Sequence, residues 1–315
     1  MSAETVLSAR GLVVRYGAVE AVHGIDLEIG RGEVVGLIGP DGAGKTSTLR
    51  VLAGLLRSSA GVELAFGSPL WKSRRALHHR LGYLAQRFAL YGDLSVDENV
   101  QLFARLFGVP GWQARRDDLL QRVELARFRD RRAENLSGGM KQKLALACTL
   151  IHSPELLLLD EPTTGVDPVT RRELWRLLAG FVAEGLTLVV ATPYLDEAER
   201  CSHVGYIDQS RLLVAGRTPE VKALPEVTPP GLRRVEVACP QAALALGALR
   251  NVPQVHDATL FGEALHLLIE ETFTEQELVA ALGWPAEAVS IRTIPPSLED
   301  VFVTLSRREA ARRRA

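Results

Sequence analysis

Cysteine is scarce in this chain of 315 residues. Cys148, Cys201 and Cys239 are odd in number, far apart and without metal-ligand spacing. That excludes a disulfide framework and a cysteine zinc site, and fits reduced thiols. The seven histidines carry no metal pattern either; His78 and His79 are adjacent and therefore point in different directions. No run approaches the ~18 apolar residues of a membrane span, and no signal-peptide pattern opens the chain, so any service to a membrane is expected from outside the bilayer. A net charge of −1 argues against a dedicated nucleic-acid binder, and no nucleic-acid partner is expected. The local exception is the end of the chain, where Arg307, Arg308, Arg312, Arg313 and Arg314 form a small basic tail that is either solvated or in weak contact with anionic headgroups. Internal repeats and low-complexity tracts are also absent.

What is present suffices for a proper core. Hydrophobic residues make up 47% and charged residues 24%, ordinary for a globular protein, and the length suggests two domains of unequal size. LSARGLVVRY and AVHGIDLEIG read as strands, with Gly30 and Gly32 at the next bend. VVGLIG (34–39) reads as a buried strand that passes through a glycine-rich loop into the helical TSTLRVLAGLL. Ser95 with Glu98 predicts a capping box, and Val100, Phe103 and Phe107 follow on one face until Gly108 and Pro110. A further helix is predicted over 112–127. LLLL (156–159) and LTLVVAT (186–192) return as strands around the helical TRRELWRLLAGFVAEG, so the class is α/β with a mostly parallel sheet. The first domain is expected over 1–223, with a helical subdomain at about 87–142. LPEVTPPG predicts a linker at 224–232, because its prolines and glycine continue neither element. Residues 233–315 are expected to form a small α+β domain of βαββαβ order, the ferredoxin-like pattern, followed by a helix from Ser297 capped with Asp300.

The strongest local signal is GPDGAGKT, Gly39 to Thr46, which matches G-x-x-x-x-G-K-[ST]. Its glycines let the backbone wrap a phosphate with N–H groups pointing inward, and the following helix adds its positive end. Lys45 reaches the β- and γ-phosphates, and the Thr46 hydroxyl is placed to ligate Mg²⁺. LLLLDEP (156–162) delivers Asp160 to the Mg²⁺ shell at the end of a central strand. Glu161 follows, where a carboxylate can polarise an attacking water. In LSGGMKQ (136–142), Ser137, Gly138 and Gly139 open a helix and offer a second set of N–H groups to an anion, about twenty residues before the LLLLDE strand.

With these three motifs in this order, the chain resembles the nucleotide-binding domains of ABC transporters over about residues 5 to 222. The resemblance implies a P-loop NTPase fold, a RecA-like core with an antiparallel β subdomain and an α-helical subdomain. Gly39 to Thr46 looks like the Walker A loop, Leu156 to Asp160 like Walker B, Ser137 to Gln142 like the signature, and Asp167 in TTGVDP like the D-loop aspartate. Glu161 sits at the catalytic carboxylate, and Gln86 in GYLAQ matches the Q-loop glutamine that senses Mg²⁺ and the membrane partner. Tyr16 sits where the family stacks an aromatic ring on adenine, the alternative being an ordinary edge-strand tyrosine. The ATP contacts thus implied are Tyr16, Gly39, Pro40, Asp41, Gly42, Ala43, Gly44, Lys45, Thr46, Ser47 and Asp160, completed from a second cassette by Ser137, Gly138 and Gly139. Glu161, Gln86 and Lys45 are the implied catalytic set, and Thr46, Gln86 and Asp160 the implied metal set. A dimer, homomeric or mixed, follows from the family's head-to-tail arrangement.

SLEDVFVTLS, after the α+β extension, is similar to the tail of ATPase subunits of ABC-2 type exporters, as is RFALYGDLSVDENV after Gln86. This implies a separate ABC-2 type permease and a peripheral position on the cytoplasmic face of the membrane. The segment 87–108, with Phe88, Leu90 and Tyr91, is expected to face that permease, unless those residues pack under the helical subdomain. Ribosomal and DNA-repair cassette proteins fit less well, since they resemble double cassettes or carry long coiled-coil insertions. One position departs from the family: the strand matching LTLVVAT ordinarily ends in a histidine on the γ-phosphate, and here stands Pro193, which has neither side-chain donor nor N–H. Losing one transition-state donor costs on the order of 3 kcal/mol. Hydrolysis at this chain's own site is therefore expected to be slowed rather than abolished, with Thr192 or Tyr194 as substitute donors. The alternative is a degenerate regulatory subunit paired with a competent cassette.

Overall fold

The computed structural model describes residues 4–86 and 90–314. Arg87, Phe88 and Ala89, from the segment expected to meet a membrane partner, lie outside the described residues, as do the side chains of Arg313 and Arg314 in the basic tail. The chain divides into two compact units, Met1–Arg217 and Thr218–Ala315.

The strands of the first unit are β1 (Thr5–Tyr16), β2 (Val19–Gly30), β3 (Val34–Ile38), β4 (Ala60–Ala65), β5 (Ser68–Pro69), β6 (Leu81–Leu84), β7 (Leu156–Asp160), β8 (Thr187–Thr192), β9 (His203–Asp208) and β10 (Arg211–Arg217). Its helices are α1 (Lys45–Leu52), α2 (Leu70–Leu77), α3 (Val96–Leu106), α4 (Trp112–Arg122), α5 (Gly138–Leu150), α6 (Pro168–Ala183) and α7 (Leu195–Ala198). A six-stranded sheet runs β10-β9-β3-β8-β7-β6, parallel except for β10. Its central members β7 and β8 are buried along their whole length, which is why they are written as uninterrupted apolar runs. A second, antiparallel sheet runs β2-β1-β4-β5. The core between the two is filled by Leu7, Leu12, Ile25 and Ile29 from one side and Leu37, Leu158 and Val189 from the other, with Leu49 and Leu52 of α1. The register places Ile38 beside Thr192 and Asp160 beside Ala191, so three central strands end together at one edge. In parallel sheets that edge is where ligands bind.

Local boundaries moved where backbone geometry intervened. α1 ends at Leu52 rather than near Leu56, since Gly54 takes φ +69 and turns the chain. α4 stops at Arg122, with Glu124 at φ +61 ahead of a short 3₁₀ turn. The capping box at Ser95 and Glu98 is formed, but the buried stripe of α3 is Val96, Asn99, Val100 and Ala104, while Phe103 and Phe107 are half-buried.

In the second unit α8 (Thr218–Lys222) precedes β11 (Leu232–Ala238), α9 (Ala242–Leu249), β12 (Val255–Phe261), β13 (Ala264–Glu270), α10 (Glu275–Leu282), β14 (Ser290–Thr293) and α11 (Leu298–Arg314). The sheet order is β12-β13-β11-β14 with every neighbour antiparallel, the ferredoxin-like arrangement. Val235, Val237, Leu265, Leu267 and Ile269 of the sheet pack against Leu249, Leu278 and Leu282 of the helices. The segment 224–232 is not a spacer between the units, because it lies inside the second one. Val227 is fully buried, and the guanidinium of buried Arg234 donates to Val227 O at 2.7 Å and to Asp300 Oδ1 at 2.6 Å. Prolines made this stretch irregular without making it free. Among the described residues no helix is long and apolar enough to cross a membrane.

Candidate functional site

The site is built at the shared strand edge. β3 ends at Ile38 and the chain enters the loop Gly39 to Gly44, then α1. Two glycines there have no substitute: a Cβ on Gly39 would stand 1.9 Å from Ile207 O, and one on Gly44, at φ +104, 2.3 Å from Ala21 O. Lys45 opens α1 and is 4% exposed. Its ammonium curls back and donates to Gly39 O at 2.7 Å and Pro40 O at 2.9 Å. Burial holds it below the ordinary lysine range, against the attraction of Glu161, Asp41 and Asp160. Among the described residues it has no carboxylate at ion-pair distance. Burying a cation with only carbonyl oxygens as hydrogen-bond partners carries a desolvation cost that a bound anion would offset.

Asp160, 1% exposed at the end of β7, receives two hydroxyl hydrogen bonds, from Thr46 at 2.9 Å and from Tyr83 at 3.2 Å. Burial raises its pKa, while those two bonds pull it down. Tyr83 is itself pushed up to about 12, first by burial and then by the Asp160 charge, so it stays a donor at neutral pH. Nothing in the sequence argument singled out Tyr83. The signal available was its place in β6, three residues before Gln86 on the strand pairing with β7.

Glu161 takes φ +48, a left-handed conformation costing a non-glycine residue roughly 1–2 kcal/mol, fixed by its N–H bond to Ala191 O at 2.9 Å. Its carboxylate oxygen Oε2 accepts from Gln86 Nε2 at 2.7 Å and from Thr164 Oγ1 at 3.1 Å. Below it, Thr163 donates to Glu197, a fully buried carboxylate of α7 that also lies 3.9 Å from Arg171 Nε. The structure thus brings Lys45, Thr46, Asp160, Glu161 and Gln86 together. Tyr16 is 46% exposed and its hydroxyl is 3.3 Å from Ser47 Oγ, at the start of α1.

Ser137, Gly138 and Gly139 make no hydrogen bond to this group among the described residues. Ser137 caps α5 through Met140 N at 3.3 Å. Gly138 has open space around it, and Gly139 lets α5 lie against Thr170, whose Cγ2 a Cβ would meet at 2.6 Å. Asp167 caps α6 by accepting from Val169 N and Thr170 N, both at 3.0 Å. Pro193 lies half-buried between β8 and α7; the Tyr194 N–H reaches Thr192 Oγ1 at 3.1 Å, and Arg171 stacks 4.2 Å above the Tyr194 ring. Past Gln86, Leu90 is half-buried and Tyr91 51% exposed. Buried Asn99 staples Tyr91, Leu94 and Ser95 through four hydrogen bonds, another role the sequence argument missed.

The ABC transporter family model matches residues 22–164, from within β2 to just past Glu161. The daunorubicin resistance ATP-binding protein DrrA3 of Streptomyces coeruleorubidus is 36% identical over 312 residues, covering 96% of each chain. The chain belongs to the ABC transporter ATP-binding proteins. The probable multidrug ABC transporter ATP-binding protein YbhF of Escherichia coli is 41% identical over 310 residues, covering 96% of this chain and 52% of YbhF, so the cassette chain spans about half the length of that relative. Among solved structures, the dimeric MJ0796 bacterial ABC transporter cassette superposes with a TM-score of 0.61 at 25% identity, covering 67% of this chain and 98% of its own.

The donors at the cassette's strand edge suit Mg²⁺: Thr46 Oγ1, Asp160 and the Gln86 Oε1 left over by the bond to Glu161 are all hard oxygens. Among the described residues no group of three or more histidines, cysteines or acids forms a metal cage. One carboxylate supplemented by substrate phosphates is the usual Mg²⁺ arrangement in nucleotide sites.

Proposed function

We propose that this chain is the ATP-binding and ATP-hydrolysing subunit of a membrane exporter. It works on the cytoplasmic face with an ABC-2 type permease on another polypeptide and a second cassette. The observation that carries the ATP reading is Lys45, a buried ammonium that among the described residues donates only to two carbonyl oxygens, near Asp160 and Glu161. The names of DrrA3 and YbhF, a drug-resistance and a multidrug transporter protein, support export.

ATP lays its β- and γ-phosphates in the loop Gly39 to Gly44, and Lys45 exchanges two carbonyl partners for phosphate oxygens. Thr46, Asp160 and Gln86 would hold Mg²⁺, which would supply positive charge against those oxygens. Glu161 accepts the proton of a water as that water attacks the γ-phosphorus; the bond to the ADP oxygen breaks, and ADP and phosphate remain. Tyr16 lies against the base. Ser137, Gly138 and Gly139 of one cassette close over the phosphates of the other, each helix start presenting N–H groups. Open space at Gly138 suits that contact.

A second reading rests on Pro193. It stands where the family places its γ-phosphate histidine and has no donor to give, so the chain is either a slowed ATPase or a regulatory cassette beside a competent partner. Phosphate release by the purified chain, alone and with a permease in membranes, separates the two. Turnover that rises with the permease supports the ATPase; ATP binding without release in both settings supports the regulatory subunit.

A further inference from the structure

The residues Glu161, Pro162, Thr163 and Thr164 form one tight turn, closed by Thr164 N donating to Glu161 O at 3.2 Å. Pro162 stands at its second position, where a fixed φ favours the turn. Its two threonines point opposite ways. Thr163, 1% exposed, donates inward to the buried Glu197 carboxylate. Thr164 donates outward to Glu161 Oε2 at 3.1 Å, the same oxygen that Gln86 reaches at 2.7 Å. Both donors therefore occupy one oxygen, and among the described residues no hydrogen bond reaches Glu161 Oε1.

Resting on the ATPase reading above, we infer that Thr164 is a positioning residue: it holds Glu161 so that Oε2 is occupied and Oε1 faces the water. The two donors on Oε2 differ in kind. Gln86 has an amide oxygen that a metal could engage, so its bond to Glu161 would compete with metal binding. Thr164 lies three residues from Glu161 in a turn pinned from beneath by Thr163 and Glu197, so its bond persists whatever Gln86 does. An unheld carboxylate rotates about its side-chain torsions and presents the wrong oxygen or none, which lowers the fraction of bound water in a reactive geometry. ATP affinity, set at the loop and Lys45, is untouched by this.

The test compares Thr164→Val, isosteric without a donor, and Thr164→Ser, which keeps it, in the full chain, with Glu161→Gln as control. A hydrogen bond to a charged group is worth a factor of roughly 10–100. Val should lower kcat about tenfold or more with the ATP dissociation constant unchanged, and Ser should restore kcat to within about threefold. Equal kcat for Val and the parent, or a parallel loss of ATP affinity, overturns the inference. Normal turnover by Glu161→Gln would instead sink the assignment of Glu161 itself. Crystal structures of the parent and Thr164→Val chains give a readout independent of turnover. The Glu161 side chain should keep one position in the parent and spread or move in the variant; an unmoved carboxylate in Thr164→Val overturns the proposal.

Discussion

Replacing Pro193 by histidine tests the account where it departs from its family. The change adds an imidazole donor at the end of β8 and restores a backbone N–H. One transition-state donor is worth on the order of 3 kcal/mol, or 10²–10³ in rate. Against that stands the freedom proline removed from the unfolded chain, about 0.4–1 kcal/mol, a loss in stability and not in turnover. The surrounding turn is held from both sides. Thr192 Oγ1 accepts the Tyr194 N–H at 3.1 Å, and the Arg171 guanidinium lies 4.2 Å over the Tyr194 ring. Because those anchors survive the substitution, the new side chain should leave from a turn close to the present one. Steady-state phosphate release at saturating ATP is expected to rise at least tenfold, with the ATP dissociation constant changed far less, since the added contact serves the transition state. An unchanged rate, with the variant folded and binding ATP, would refute the reasoning and give the role to Thr192 or Tyr194.

Lys45→Ala removes the ammonium expected to face the β- and γ-phosphates and should weaken ATP binding by roughly 10–100-fold, read by calorimetry; unchanged binding would remove the basis of the nucleotide site. His152 gives a pH prediction for stability. It donates to Leu81 O at 3.1 Å and stacks on Phe107 with ring centroids 3.9 Å apart, and burial pushes its pKa down to about 4 from 6.5. The unfolded chain therefore binds the proton first: stability is full above pH 6.5 and falls as pH drops from 6.5 to 4, by up to about 1.4 kcal/mol per pH unit. Glu155, lowered from 4.5 to about 2 chiefly by its hydrogen bond to Arg80, loses its contribution as pH falls through that lower range and overlaps only the bottom of the His152 window. Thermal melts of the parent and His152→Gln between pH 4.5 and 7 should show a flatter profile for the variant; parallel profiles would locate the pH dependence elsewhere.

The strand-loop-helix at 34–52 and the runs at 156–160 and 187–192 were legible because burial on both faces demands unbroken apolar residues, and a phosphate loop demands glycine. The ferredoxin-like order was legible from alternating strands and turn signals. Residues whose roles depend on where a turn aims them were not. Thr164 and Thr163 are neighbours with opposite partners, and nothing in the letters TT tells which points inward. Tyr83 reads as one more strand residue until the register with β7 sets it against Asp160. The 224–232 segment misled because proline marks irregular backbone, whether free or packed. Its packing depends on Arg234, which lies outside the segment and is 6% exposed.

The central claim is that ATP bound at Lys45 and Asp160 is cleaved by a water that Glu161 activates, between two cassettes. Glu161→Gln keeps the shape of the side chain and removes the base. Light scattering and nucleotide analysis of that variant with Mg²⁺ and ATP should give a doubled mass, about one uncleaved ATP retained per chain and no phosphate release. Phosphate release at the parent rate, or an ATP-loaded chain that remains monomeric both alone and with a second cassette, would contradict the account.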